Sequence, residues 1–152
     1  MATSSATDLF DAIAAEAVAE SPLWGEQLRA EPEREGVFGP LAPELFTLGL
    51  ETIYEGYLVH YGRPRLFSPA EGDVALLLGD YLYAHGLVRI AATGDLDAVA
   101  TLAELISTCA HLRAEEAEGD GQAWLEAVRL LGGEPDAATV ERALSTHAAR
   151  LT

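Results

Sequence analysis

The sequence predicts an all-α fold, a helical bundle, and three observations carry that expectation. Ala, Leu and Glu dominate a chain that is 49% hydrophobic but only 7% aromatic, a mixture that favours helix over strand. Apolar residues recur at three- and four-residue spacing in several long segments, and no segment shows convincing period-two alternation. The breaks between segments carry Pro, Gly and short polar residues, the types that start and stop helices. At 152 residues the chain is expected to be one helical domain, 1–152, large enough to bury a core without disulfides.

Each element follows in order. The first helix is expected over 7–20, where Leu9, Phe10, Ile13, Ala14, Ala17 and Val18 form a stripe, and Ser21-Pro22 interrupts it. A short helix at about 23–30 and a charged, Gly- and Pro-bearing connection over 31–39 come next. The second long helix is expected over 43–60, with Pro43 near its first turn and wide apolar coverage from Leu45, Leu48, Ile53 and Tyr57. The third carries the clearest start signal: Ser68 as N-cap, Pro69 at the first helical position and Glu71 closing a capping box. It should run to about residue 92, where Thr93-Gly94-Asp95 breaks it. Asp95 then caps a fourth helix over 95–117, with Val99, Leu102, Leu105, Ile106, Cys109 and Leu112 as its stripe. A fifth covers 122–131 and stops at Gly132-Gly133. A last follows Asp136, with Val140, Leu144 and Leu151 apolar. The third and fourth helices are expected to be central.

Charge narrows the partners. The net charge is −16, with 25 acids against nine arginines and no lysine. Phosphate backbones and anionic lipid surfaces would repel such a chain, so no nucleic-acid partner is expected. A single cysteine, Cys109, allows no disulfide within the chain and fits a reducing compartment. The first ten residues lack the basic and apolar segments of a secretory signal, and no apolar run is expected to approach the ~20 residues of a membrane span. The expectation is a cytoplasmic protein with no membrane span.

The stretch from Gly72 to Gly86 places Asp80 and His85 inside an apolar run. A helix apolar on most sides lies deep in a bundle or at a subunit contact, where an aspartate is costly unless paired. Asp80 and His85 are therefore read as structural polar residues whose partners come from another helix, a loop or another chain.

The same stretch carries a resemblance. Ala75, Leu77, Gly79, Asp80 and Leu82 match a segment of the type A-x-L-x-G-D-x-L, and after a break at Gly94 the residues Leu102, Ala103 and Ile106 match L-A-x-x-I. With "LGLETIYEGYLVH" upstream and Gly62-Arg63-Pro64 after it, the order resembles the trans-polyprenyl diphosphate synthase superfamily over residues 45–114. That resemblance implies part of the isoprenoid synthase fold. In that family, magnesium held by two aspartate-rich motifs binds an allylic diphosphate, because hard cations need clustered carboxylates. This chain has no Asp-Asp dipeptide and no lysine, and His60-Tyr61 stands where the family has two arginines. It therefore resembles the family's non-catalytic small subunits, such as the component-one chain of heteromeric heptaprenyl diphosphate synthases.

The resemblance implies a non-catalytic subunit that forms a homo-oligomer or a heteromer with a catalytic prenyl synthase, with no cofactor and no metal. Leu77, Tyr81, His85, Val88, Leu102 and Ile106 are the candidate interface. A binding module for an isoprenoid or other apolar ligand, held between the second and third long helices, is the alternative.

Other groups read as follows. His60, Tyr61, Arg63 and Arg65 are the best remaining ligand-binding candidates, as a small anion pocket at a polar turn. Glu51 and Glu55, one helical turn apart, read as solvated carboxylates. The acidic run 113–121 reads as a frayed helix end. Cys109, on an apolar stripe, reads as a buried, unreactive thiol. Trp24 and Trp124 fit either a core or an interface.

Overall fold

The structure is a computed structural model that describes residues 6–152. The expectation about a signal in residues 1–5 lies outside the described residues. Seven α-helices follow one another: α1 (Ala6–Glu20), α2 (Pro22–Gly25), α3 (Glu44–Tyr61), α4 (Gly72–Ala91), α5 (Leu96–Ala114), α6 (Asp120–Leu130) and α7 (Ala137–Arg150), with a 3-10 turn at Gly39–Leu41 before α3. The fold class is all-α. Among the described residues the only β pairing is an isolated antiparallel bridge between Leu28 and Phe67.

The central element is α3, not the pair of helices that follows it. Every residue from Gly49 to Val59 is buried. Two apolar clusters meet along it. One joins Leu50, Ile53, Tyr54 and Tyr57 to Leu102, Trp124 and Val128. The other joins Val59 to Phe10 and Ile13 of α1, Trp24, Phe67, and Leu78 and Leu82 of α4. Both tryptophans therefore belong to the core.

Glycines set the distance between α3 and α4. Gly49 and Gly56 lie seven residues apart on α3, and Gly79 and Gly86 lie seven apart on α4. The helices run antiparallel, so Gly49 faces Gly86 and Gly56 faces Gly79. A Cβ on Gly49 would stand 2.5 Å from Ile90 Cδ1, and one on Gly86 would overlap Ile53. Large side chains of each helix thus fill the space left by the other's missing Cβ atoms.

Local signals explain most boundaries. Asp95 Oδ1 accepts from Ala98 N at 2.9 Å, the cap expected there, and Asp136 Oδ1 accepts from Thr139 N at 2.8 Å and caps α7. Gly94 and Gly132 take positive φ after α4 and α6, which a residue with a Cβ rarely adopts.

Ser68 does not cap α4, which begins at Gly72 with Glu71 in the N-cap position. The Ser68 backbone N–H instead donates to Gln27 O at 2.7 Å, holding this segment extended beside residues 27–29. The short helix expected over 23–30 ends at Gly25 for the same reason: Arg29 N donates to Leu66 O.

Among the described residues one helix, α4, is long and apolar enough by length and composition to cross a bilayer, contrary to the expectation that no segment reaches that measure. Only 28% of its most apolar window is buried.

Candidate functional site

Three regions concentrate the chemistry of the molecule: a buried ion cluster, a seam of aromatic and acidic groups, and the outer face of α4.

The ion cluster overturns the reading of Glu51 and Glu55 as solvated. Both are fully buried and both hold Arg65, which is itself fully buried. Arg65 Nη1 reaches Glu51 Oε1 at 2.5 Å and Arg65 Nε donates to Glu55 Oε1 at 2.9 Å. Glu51 Oε2 also accepts from the backbone of Val37 and Gly39 at 2.9 and 2.8 Å. Glu55 Oε2 accepts from Arg65 N and Leu66 N at 3.0 and 2.8 Å. Two backbone oxygens, of Glu35 and Glu51, take further guanidinium protons, and the group lies over the Phe10 and Tyr54 rings.

Burial alone would weaken the guanidinium's hold on its proton, but Glu51 and then Glu55 outweigh it and push its pKa up. The cluster fastens two loops, 35–39 and 65–66, onto α3. It is a satisfied structural latch, so Arg65 is not available to a ligand.

The remaining ligand candidates do not form one pocket with it. Arg63 is exposed, with its backbone N–H bonded to Arg150 O at 2.8 Å. His60 lies beside Asp80, Nε2 to Oδ1 at 3.2 Å, and its ring centroid is 5.1 Å from that of Tyr83 and 5.5 Å from that of Tyr61. The imidazole occupies the space over Gly79. Asp80, expected to be buried, is exposed, because it lies on the face of α4 that its neighbouring helices leave open.

From Tyr61 the seam continues inward. Tyr57 stacks edge-on against Tyr61 and donates its hydroxyl to Asp120 Oδ2, which also lies 3.1 Å from Arg113 Nε. Asp120 is buried at the first turn of α6, so the acidic run contains an internal ion pair and is not simply a frayed end. Tyr54 OH and His147 Nδ1 are 2.7 Å apart. Burial pushes the His147 pKa down to about 4, and this outweighs the nearby Asp120 carboxylate. Burial also raises the hydroxyl pKa values of Tyr54, Tyr57 and Tyr83. Cys109 is pushed up to about 12, by burial first and by Asp120 second.

Comparison with protein families, curated proteins and solved structures returns no match. The chain's chemistry therefore has to be read from its own geometry. Among the described residues, no group of three or more His, Cys, Asp and Glu side chains is arranged to hold a metal ion.

The interface candidates divide. Leu77 and Val88 are exposed on the outer face of α4. Tyr81 and His85 are partly covered by the first two helices: Tyr81 stacks on Trp24, and His85 Nε2 lies 3.1 Å from Glu16 Oε1. Leu102 is in the core and Ile106 packs against it, because α5 turns its stripe inward onto α3 and α6. Asp120 and His147 carry no local signal for their contacts with Tyr57 and Tyr54, which lie 63 and 93 positions away. The two glycine pairs do carry a readable signal, their seven-residue spacing in both helices.

Proposed function

We propose that this chain is a non-catalytic association subunit, and that the outer face of α4 binds a second copy of the chain. The observation that carries this reading is the exposure of Leu77 and Val88, 57% and 61%, on the helix with the most apolar composition. Leu77, Ala84, Val88 and Ala91 are all exposed and follow one another at steps of seven, four and three residues, which makes one seam.

Charge along the seam is sparse, with Asp80 its one exposed charged side chain. From Leu76 to Ala92 the charged residues are Asp80, beside His60, and Arg89, held by Glu16 at 2.7 Å. On a chain of net charge −16, that sparse charge lowers the repulsion between two copies that meet there. In an antiparallel pairing centred on Ala84, Leu77 of each copy meets the small Ala91 of the other, large against small. The buried acids Glu51, Glu55 and Asp120 are held by Arg65, Arg113 or Tyr57, which fits a scaffold better than a reaction centre. The resemblance to polyprenyl synthases adds a catalytic synthase as a second partner for the same face.

Cysteine cross-linking tests the proposal, since the native Cys109 is buried. Under mild oxidation Ala84→Cys forms a disulfide-linked dimer, whereas Ser145→Cys, exposed on α7, does not. Equal cross-linking at both positions, or at neither, would overturn it.

A further inference from the structure

The three most exposed large apolar side chains among the described residues are Leu96, Leu45 and Leu130, at 75%, 66% and 64%. They come from the start of α5, the start of α3 and the end of α6. The fold brings these ends together. Leu45 and Leu96 border one shallow hollow, and a Cβ on Gly132, just after α6, would lie 3.6 Å from Pro43, just before α3. From this end a groove of about 400 Å³ runs between α5 and α6, with Leu105 and Ala127 buried in it and Thr101, Ala123 and Leu130 along its sides.

The groove has charge on both lips. Glu104 of α5 and Glu126 of α6 face across it, both exposed and neither in an ion pair. Asp95 and Asp97 add acid at the leucine end. Six of the nine arginines are held in ion pairs elsewhere, and Arg129, on α6, does not line the groove. An apolar trough with acidic lips matches one shape of partner: a helix with an apolar stripe flanked by lysine or arginine.

We infer that the α5–α6 groove and its leucine mouth dock a basic amphipathic helix of a partner protein. The stripe lies along the groove from Thr108 to Leu96, about three turns at 1.5 Å per residue, and the flanking cations reach Glu104 and Glu126. The site is independent of the outer face of α4, so the failure of one does not imply the failure of the other.

The test uses the full chain and a fluorescent peptide of about five helical turns, leucines at i, i+3, i+4 and i+7 and lysines elsewhere. A scrambled peptide of equal charge is the control. The striped peptide binds at least about tenfold more tightly than the scramble, with amide shifts confined to α5, α6 and the leucine end. Glu104→Gln with Glu126→Gln weakens it severalfold, as does Leu130→Asn, an exposed position that leaves folding intact. Glu31→Gln with Glu141→Gln, equally exposed acids elsewhere, leaves it unchanged. Equal affinity for stripe and scramble, shifts spread over the acidic surface, or no binding of either peptide would overturn the inference.

Discussion

Gly56 of α3 sits against Gly79 of α4 so closely that a Cβ on Gly56 would stand 3.0 Å from the Gly79 carbonyl oxygen. Backbone oxygen cannot move aside as a flexible side chain can, so even one added methyl group forces the two helices to shift apart. Gly56→Ala and Gly86→Ala should each destabilise by about 1–3 kcal/mol through overpacking. Gly72→Ala, which meets nothing within 4 Å, should be neutral or stabilising by up to about 1 kcal/mol. Urea unfolding of the three variants checks the contrast, and equal effects at all three would refute the packing account.

Arg65 is the counter-ion for two buried carboxylates. Arg65→Met leaves Glu51 and Glu55 without it and should cost about 3–5 kcal/mol. Replacing Glu51 and Glu55 with leucine in the same variant should recover part of that loss, because no buried charge then remains. Urea midpoints of the single and triple variants give the comparison, and a loss under 1 kcal/mol for Arg65→Met would show that water reaches the site.

These two contacts mark what was legible in the chain and what was not. The Asp95 and Asp136 caps and the Gly94 and Gly132 stops are local, decided within four residues, and could be read directly. Ser68 looked equally local, but its N–H is held by Gln27, 41 positions earlier, and that tertiary bond displaces the cap. Glu51 and Glu55 resembled solvated glutamates because their partner lies beyond the helix, in a loop that only the fold returns to α3. His60, Tyr61, Arg63 and Arg65 sit within six residues of sequence, yet the end of α3 sends them in different directions. Of the interface residues that the resemblance implied on α4, Leu77 and Val88 lie on its exposed face, whereas α1 and α2 cover Tyr81 and His85.

His147 makes stability depend on pH. Its folded pKa, about 4, is below the ordinary 6.5, so the unfolded chain binds the proton more readily. The contribution is complete above pH 6.5 and is lost as pH falls toward 4, by roughly 3 kcal/mol. Below about pH 4.5, Glu16 and Glu33 add to the loss: burial opposes ionisation of Glu16 but Arg89 and His85 together outweigh it, Arg150 outweighs burial at Glu33, and that stabilisation disappears on protonation. His147→Gln should flatten the stability profile between pH 6.5 and 4.5. An unchanged slope there would remove His147 as its source.

Cys109 should be nearly inert in the folded chain. Burial and the Asp120 carboxylate push its thiol up to about 12, so almost no thiolate exists at neutral pH. A disulfide-exchange reagent should label it only slowly in buffer and at once in denaturant. Rapid labelling of the native protein would contradict its burial.

Sedimentation equilibrium of the native chain beside the Leu77→Asp/Val88→Asp double variant tests the association claim most directly. Both substituted side chains are exposed, so the variant keeps its helical circular dichroism. The account predicts a concentration-dependent dimer for the native chain and a monomer for the variant. Native and variant chains that sediment alike, both monomeric or both dimeric, would contradict it.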